Sequence, residues 1–181
     1  MLFDRRTITL RDGRTALLRA PEEGDAAALI AYLRDTAGET NFLIRTPEEV
    51  TFTVAEEEAI IRRITASPGD LMIVCEVDGV IAGACALNRF GKIKSRHRAS
   101  VSIALRRACW GLGIGSRMFE EMIAVGRKLG LMQLELEFIE GNTRGRALYE
   151  KFGFRIVGLR PNATRLPGGT LLHEYIMVKE L

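Results

Sequence analysis

The stretch Trp110-Gly111-Leu112-Gly113-Ile114-Gly115-Ser116 lies between a predicted strand and a predicted helix. Ala99–Leu105 before it reads as the strand, and the apolar residues after it recur at spacings of four, three and four, as in an amphipathic helix. Those residues are Met118, Met122, Val125 and Leu129. Glycine allows backbone angles closed to other residues, and the first N–H groups of a helix attract anions. The stretch therefore predicts a phosphate-binding turn or, alternatively, an ordinary tight turn.

The composition of the chain sets the class of protein. Its 181 residues are 47% apolar and 27% charged, as expected for one globular domain spanning residues 1–181. No apolar run approaches the roughly 20 residues that a membrane helix needs, and the N-terminus has no signal-peptide pattern. We therefore expect a cytoplasmic protein that does not bind membranes. The net charge of +3 fits an anionic ligand or an acidic partner, and is too small to predict nucleic-acid binding.

The three cysteines suggest neither a metal site nor a disulfide framework. Cys75, Cys85 and Cys109 are odd in number and far apart, and no cluster of histidines accompanies them. A cysteine nucleophile at Cys109 is equally unsupported, since no histidine and aspartate partners are evident. The sequence therefore favours chemistry without a metal ion.

Hydrophobic periodicity predicts an alternation of strands and helices. Asp25 is a predicted N-cap for a helix that ends near Gly38, and Thr53 with Glu56 forms a predicted capping box for a second helix. Gly83 indicates a bulge or a close backbone approach. The predicted strands are Thr7–Leu10, Thr15–Arg19, Leu71–Val77, Val80–Phe90, Ala99–Leu105, Leu131–Phe138, Phe154–Leu159 and Leu171–Val178. A further short helix would turn Ala147, Leu148 and Phe152 inward, and Pro161–Gly169 is a predicted loop.

This order predicts an α/β protein of the α+β type, with a mixed, mostly antiparallel sheet flanked by about four helices. The unit from Ala99 to Phe138 should form a parallel, right-handed crossover. The glycine-rich stretch then lies at the C-terminal end of its strand, where α/β sheets commonly bind ligands.

Two motifs in the second half resemble the core of the GCN5-related N-acetyltransferases. The family's signature is Gln/Arg-x-x-Gly-x-Gly/Ala, and residues 110–115 match it except that Trp110 replaces Gln or Arg. The second motif is Asn142, then Tyr149 seven residues later, then the ending Lys151-Phe152-Gly153-Phe154. The resemblance implies the family's fold, with a cofactor-binding core at about residues 99–154, and acetyl transfer from acetyl-CoA to a primary amine.

The resemblance also implies roles for particular residues. The backbone of Ile103–Leu105 would pair with the pantetheine arm, the N–H groups of residues 111–116 would hold the pyrophosphate, and Tyr149 would act as the acid on the leaving thiolate. The implied cofactor-binding residues are Ile103, Ala104, Leu105, Trp110, Gly111, Leu112, Gly113, Ile114, Gly115, Ser116, Asn142 and Tyr149. Two alternatives remain open: Tyr149 as an ordinary core aromatic, and Asn142 as a turn residue.

The acceptor side is less defined. The irregular segment after the first helix predicts substrate contacts from Glu39, Thr40 and Phe42. The amine must lose a proton, and the candidate bases are Glu39, Glu76 and Glu174, or a chain of water molecules. A small molecule or a peptide could supply the amine, and a homodimer is compatible with the sequence.

Two other classes of function remain to be weighed. The chain could be a non-catalytic module that binds or senses acyl-CoA, and the presence of Tyr149 speaks against that. The basic stretch Lys92–Arg98 is a solvated hairpin tip, a guide for an anionic ligand, or a nucleic-acid contact. It contains no interleaved aromatic residues, and this speaks against nucleic acid.

Overall fold

The computed structural model describes all residues 1–181 and contains a single eight-stranded sheet with four α-helices. The strands are β1 (Arg6–Thr9), β2 (Thr15–Arg19), β3 (Leu71–Val77), β4 (Val80–Arg89), β5 (Arg98–Leu105), β6 (Gln133–Ile139), β7 (Arg155–Arg165) and β8 (Leu171–Glu180). The helices are α1 (Ala26–Glu39), α2 (Val54–Ala66), α3 (Ile114–Lys128) and α4 (Thr143–Lys151). None of the helices is long and apolar enough to cross a membrane.

The strands lie in the order β1-β2-β3-β4-β5-β6-β8-β7. Every neighbouring pair is antiparallel except β5 and β6, which are parallel and joined through α3. The predicted fold class and the parallel crossover are confirmed. The sheet therefore consists of two antiparallel half-sheets, β1–β5 and β6–β8, that meet only along β5 and β6.

The helices cover both faces of the sheet because the strands alternate apolar residues between the two faces. On β3, Ile73 and Cys75 belong to the larger buried cluster, together with Met118 and Phe119 of α3. Val74, between them, packs in a second cluster with residues of α1 and α2. One layer therefore contains α3 and α4, and the other contains α1 and α2.

Local sequence signals predicted most of the helices and strands correctly. The side chain of Thr53 accepts from the N–H of Glu56 and the Glu56 carboxylate accepts from the N–H of Thr53, as the capping box requires. Gly83 fulfils both alternatives: the β3–β4 register shifts just beyond its pair with Cys75, and a Cβ on Gly83 would lie 3.1 Å from the backbone oxygen of Ala104 and 2.2 Å from Cδ2 of Leu105.

Three local predictions were wrong in whole or in part. Asp25 occupies the N-cap position of α1 as predicted, but its carboxylate makes no capping bond and pairs with Arg19, because a buried guanidinium is the stronger partner. Ala147 is exposed, and Tyr149 is the buried residue of α4. The predicted loop at Pro161–Gly169 is mostly strand, since β7 continues to Arg165. Proline is tolerated there because β7 is an edge strand.

Candidate active site

A cleft opens where β5 and β6 separate. The two strands pair only at Arg98–Ser100 with Gln133–Glu135. Beyond these three pairs the later residues of both strands line a cavity of about 670 Å³. A gap between parallel strands exposes backbone N–H and C=O groups that a sheet would otherwise pair, so an extended ligand can take the place of a strand.

The glycine-rich turn closes one end of this cleft. Gly111 and Gly113 have φ of +81° and +93°, in the left-handed region that favours glycine. No side chain caps α3, and the N–H of Arg117 donates to the carbonyl of Gly113, the N-cap residue, at 3.2 Å. The N–H groups of the first three helical residues therefore have no helical partner. Unpaired N–H groups at a helix start can bind an anion, so this geometry is compatible with the phosphate-binding alternative for the stretch.

Cations surround the turn, and sequence reasoning missed one of them. The backbone N–H of Arg11, in the β1–β2 hairpin, donates to the carbonyl of Leu112 at 3.1 Å. The Arg11 side chain lies beside Gly113 and lines the cleft. The guanidinium of Arg144 lies 5.1 Å from the centre of the Trp110 ring and also lines the cleft. Only the tertiary approach of the hairpin brings Arg11 to this site, and no local pattern signals it.

Two carbonyl groups at the end of β5 already accept hydrogen bonds from side chains of the protein. Nε1 of Trp110 donates to the Leu105 carbonyl at 2.9 Å. The buried Tyr32 hydroxyl donates to the Ala104 carbonyl at 2.7 Å and accepts from the N–H of Ala84 at 3.1 Å. The carbonyl of Ala104 therefore points toward β4. In the alternating ladder, the backbone groups of Ile103 and Leu105 are the ones that face the gap.

Asn142 and Tyr149 lie on the opposite wall. Asn142 is the N-cap of α4, and its Oδ1 accepts from the N–H of Gly145 at 2.9 Å. The Asn142 side chain thus has the turn role that was one of the two alternatives. Its amide nitrogen, Nδ2, makes no hydrogen bond within the chain. The Tyr149 ring packs at 5.6 Å from Phe119 and 5.9 Å from Phe138.

The Tyr149 hydroxyl is free for a ligand. It makes no hydrogen bond within the chain and is not completely buried. Because Tyr149 lines the cavity, the hydroxyl keeps contact with the cleft. Burial raises the pKa of Tyr149 to about 12. The phenol therefore keeps its proton throughout the neutral range and can donate it.

Two carboxylates form the acidic part of the cleft wall. Glu137 on β6 and Glu174 on β8 both line the cavity, and Arg160 on β7 bonds to both of them. Burial and the neighbouring Glu137 carboxylate raise the pKa of Glu174, although Arg160 opposes this. Glu137 was not among the candidate bases. The alternation of β6 placed it on the polar side of the strand, and that side faces the cleft at this point.

The family model described as the acetyltransferase (GNAT) family matches residues 39–154. The chain belongs to this family. The match includes the glycine-rich turn, Asn142 and Tyr149, so the GNAT resemblance inferred from these motifs is confirmed.

Several GNAT proteins are similar to this chain. A putative phosphinothricin acetyltransferase, YwnH of Bacillus subtilis, is 31% identical over 54% of this chain and 61% of its own length. The N-alpha-acetyltransferase RimI of Mycobacterium tuberculosis is 30% identical over 61% of this chain and 68% of its own. A GNAT acetyltransferase from Streptococcus pneumoniae superposes with a TM-score of 0.87 and 27% identity, covering 92% and 99% of the two chains.

A further GNAT structure shares the fold and contains the cofactor. The phosphinothricin acetyltransferase of Sinorhizobium meliloti, solved in complex with acetyl-CoA, superposes with a TM-score of 0.78 and 23% identity. It covers 92% of this chain and 88% of its own. The GNAT fold of this chain is thus one that binds acetyl-CoA in another member.

The cleft brings together most of the predicted site residues of this GNAT chain. Those that line it are Thr40, Phe42, Ile103, Ala104, Leu105, Trp110, Gly111, Gly113, Gly115, Ser116, Asn142 and Tyr149. Leu112 and Ile114 turn their side chains into the core, so only their backbone groups could serve a ligand.

Two of the predicted bases lie elsewhere in the GNAT fold. The Glu39 carboxylate accepts from the backbone N–H of Arg107 at 2.6 Å and does not line the cleft. Glu76 pairs with Arg19 on β2. Glu174 is therefore the one of the three candidates that the structure places in the cleft.

The basic stretch Lys92–Arg98 lies at the other end of β5 from the glycine-rich turn, since it leads into the strand, which begins at Arg98, and the turn follows the strand. Arg98 is paired with Glu135, and Nε of Arg89 donates to the Arg96 carbonyl at 2.6 Å. None of these residues lines the cleft. The stretch therefore makes no direct contact with a ligand held there.

Proposed function

We propose that residues 1–181 act as one N-acetyltransferase domain that transfers the acetyl group of acetyl-CoA directly to a primary amine. The observation that carries this proposal is the combination, in a single cleft, of an anion-binding turn, an unpaired tyrosine hydroxyl and a pair of carboxylates. Each of these groups matches one requirement of acetyl transfer.

The chain offers binding groups for each part of acetyl-CoA. The unpaired N–H groups at the start of α3 fit a pyrophosphate, and Arg11 and Arg144 add positive charge beside them. The gap-facing backbone of Ile103 and Leu105 fits the amides of the pantetheine arm. When bound, acetyl-CoA supplies the acetyl group as a reactive thioester.

The catalytic residues would act as proton carriers. Tyr149 holds a proton on its hydroxyl where a leaving thiolate can take it, because the raised pKa keeps the phenol neutral. Glu174 and Glu137 can accept the proton that an attacking ammonium group must lose. Direct transfer is favoured over a cysteine acyl-enzyme, since no cysteine lines the cleft, and Cys109, which precedes the glycine-rich turn, has no histidine partner and a pKa raised by burial.

The acceptor would lie against the segment that follows α1. Thr40 and Phe42 line the cleft, and the Phe42 ring would lie 3.5 Å from a Cβ at Gly141, so this segment covers the β6–α4 turn. YwnH is named for phosphinothricin and RimI for protein α-amines, and we propose the class they share, a primary amine. Glu39 would act indirectly, because its carboxylate holds the backbone N–H of Arg107, between β5 and the glycine-rich turn.

The competing function is binding of acyl-CoA without chemistry, and one experiment separates the two. Purified protein is incubated with acetyl-CoA and a panel of primary amines. Free thiol is followed by a colorimetric reagent, and acetylated amine is followed by mass spectrometry. We expect equal amounts of both products, dependent on the amine. Tight binding of acetyl-CoA with no amine-dependent thiol release would support the binding module instead.

A cytoplasmic location and a homodimer stay predictions from the sequence. The oligomeric state is measured by light scattering during size-exclusion chromatography, with and without acetyl-CoA.

A further inference from the structure

The charges of the cleft wall are separated into two groups. Four charged residues line the cavity: Arg11, Arg144, Glu137 and Glu174. The two arginines lie beside the glycine-rich turn, where acetyl-CoA phosphates would bind. Both acidic residues lie on the other half-sheet, on β6 and β8. The cofactor end is therefore positive, and the remaining charged part of the wall is negative.

Strand register places the acidic pair away from the turn. Ser100 pairs with Glu135 across the parallel seam, so Glu137 is level with Ser102 on β5. Leu105 is three residues further along, about 10 Å at the rise of a strand. The glycine-rich turn begins beyond Leu105. The carboxylates thus lie on the part of the cleft that the cofactor phosphates do not occupy.

The acidic pair carries an excess of negative charge. Nη2 of Arg160 lies 3.1 Å from Oε1 of Glu137, and Nη1 of the same guanidinium bonds to Glu174. One positive charge therefore faces two carboxylates. The Glu174 side chain is only 9% exposed, whereas that of Glu137 is 48% exposed and can be reached by a ligand. A ligand ammonium group would supply the missing positive charge.

No free cation stands near this pair to hold a second anionic group of the acceptor. Both terminal nitrogens of the Arg160 guanidinium, Nη1 and Nη2, are bonded to the two carboxylates. Arg45, on the segment after α1, stacks over Phe52 at 5.1 Å and does not line the cleft. That segment contributes three apolar residues, Phe42, Leu43 and Ile44, and the uncharged Thr40 to the wall. An acceptor carboxylate or phosphinate would face two negative side chains and an apolar surface.

We infer that the acceptor is a primary ammonium on an apolar or amide-linked body with no anionic group next to the amine. This excludes free amino acids and their phosphinate analogues, and it includes simple alkylamines and the N-terminal residue of a peptide. The inference rests on the proposed function, because it defines the substrate class of the same cleft.

The test compares acceptors of one size that differ in charge: phenylalaninamide, phenethylamine and phenylalanine. We expect kcat/KM for phenylalaninamide to exceed that for phenylalanine by at least about tenfold. Because an α-amide also lowers the basicity of the amine, the ratio of the two values is compared between variants. Glu137→Gln should reduce this ratio by about threefold or more. Glu135→Gln removes a charge from the same strand outside the cleft and should leave the ratio unchanged.

Peptide and small-molecule sources of the ammonium are separated by adding the amidated dipeptide phenylalanyl-glycinamide. A higher kcat/KM for the dipeptide than for phenethylamine indicates a peptide acceptor, and the reverse indicates a small amine.

Failure of this inference is distinguishable from failure of the proposed function. Equal use of phenylalanine and phenylalaninamide, with a ratio unaffected by Glu137→Gln, would overturn the inference and leave acetyl transfer intact. If no amine is acetylated, calorimetry with the CoA-loaded protein still compares the two ligands. Preferential binding of phenylalaninamide, lost in Glu137→Gln, would support the inference without the activity. Absence of that preference would overturn the inference.

Discussion

Nε1 of Trp110 donates a hydrogen bond of 2.9 Å to the carbonyl oxygen of Leu105. This bond ties the end of β5 to the start of the glycine-rich turn, at the position where the family signature usually has Gln or Arg. The same indole ring lies under the guanidinium of Arg144. A bulky aromatic residue at this position therefore fixes the strand and places a cation.

The first prediction concerns this bond. Trp110→Phe keeps an aromatic ring for Arg144 and removes the N–H donor. We expect the free energy of unfolding to fall by about 1 kcal/mol, the usual net value of a hydrogen bond, and the Kd for acetyl-CoA to rise a few-fold. Urea unfolding and calorimetry measure the two quantities. Wild-type values for both would show that the bond has no role.

The second prediction concerns charge at the glycine-rich turn. Gly113 has φ of +93°, and both Asn and Asp tolerate this region better than other side chains. Gly113→Asn and Gly113→Asp are therefore matched in shape and differ in charge. We expect acetyl-CoA to bind the Asp variant at least about tenfold more weakly than the Asn variant, measured by calorimetry on folded protein. Equal Kd values would locate the pyrophosphate elsewhere.

The third prediction concerns Arg11. Arg11→Gln should weaken acetyl-CoA binding about threefold to tenfold at low salt, because an exposed cation beside a phosphate is lost. The difference should shrink at high salt, since screening removes the same interaction in the wild type. Arg14→Gln is the control: Arg14 is in the same hairpin but pairs with Asp12 and Asp78. Equal losses of affinity in both variants would mean that only the total charge of the protein matters and that Arg11 makes no specific contact with acetyl-CoA.

The fourth prediction concerns Tyr149. Tyr149→Phe keeps the packing against Phe119 and Phe138 and removes only the hydroxyl, so the melting temperature should change little. We expect kcat to fall by roughly a hundredfold and the Kd for acetyl-CoA to stay within a few-fold. With a pKa of about 12, Tyr149 should cause no loss of wild-type activity between pH 7 and 10. Unchanged transfer in rapid-mixing experiments would make Tyr149 structural.

The fifth prediction concerns stability and pH. Glu57 of α2 is 4% exposed and makes no side-chain hydrogen bond, and burial raises its pKa above the usual 4.5. Above pH 4.5 the unfolded chain loses this proton before the folded chain does, so the folded state binds more protons and stability falls as pH rises through this window. Glu57→Gln should therefore have the higher melting temperature at pH 8, and the gap should narrow toward pH 4.5.

Glu58→Gln serves as the control for that prediction. Glu58 is the next residue of the same helix turn and is only half-buried. A similar gain in both variants would mean that the helix, and not the buried carboxylate, is responsible.

Much of the fold follows from local signals in the sequence. Asp78 and Gly79 mark a hairpin whose two residues both have positive φ, and Thr53 with Glu56 begins α2 where the capping box predicts. These elements are determined by residues within a few positions of each other. Asp25 shows the limit, since its preference for capping was overridden by Arg19, a residue on another element.

The same distinction between local and long-range signals applies to the residues of the candidate site. The turn, Asn142 and Tyr149 are recognisable because their spacing along one helix or turn determines their placement. Arg11 and the pairing of Glu137 with Glu174 depend on the packing of a hairpin and on the β6–β8 register. Alternation alone showed that Glu137 is on the polar side of β6. It did not distinguish a cleft from open solvent.

The narrow seam between the half-sheets has a consequence for how the chain folds. The pairs β1–β2, β3–β4, β4–β5 and β7–β8 join strands close in sequence, whereas the ion pair at the seam, Arg98 with Glu135, joins residues 37 positions apart. Closing the loop at the seam costs chain entropy that only three residue pairs repay, whereas the other distant pairings, β2–β3 and β6–β8, have four and seven pairs. In folding kinetics, the φ-value is the fraction of a mutation's effect on stability that is already present in the folding transition state. We expect this fraction to be near zero for Ala99→Gly and Leu134→Ala, and higher for substitutions within the β3–β4 hairpin. On this folding route the cleft would be the last part of the molecule to form, and the first to be lost when the chain begins to unfold.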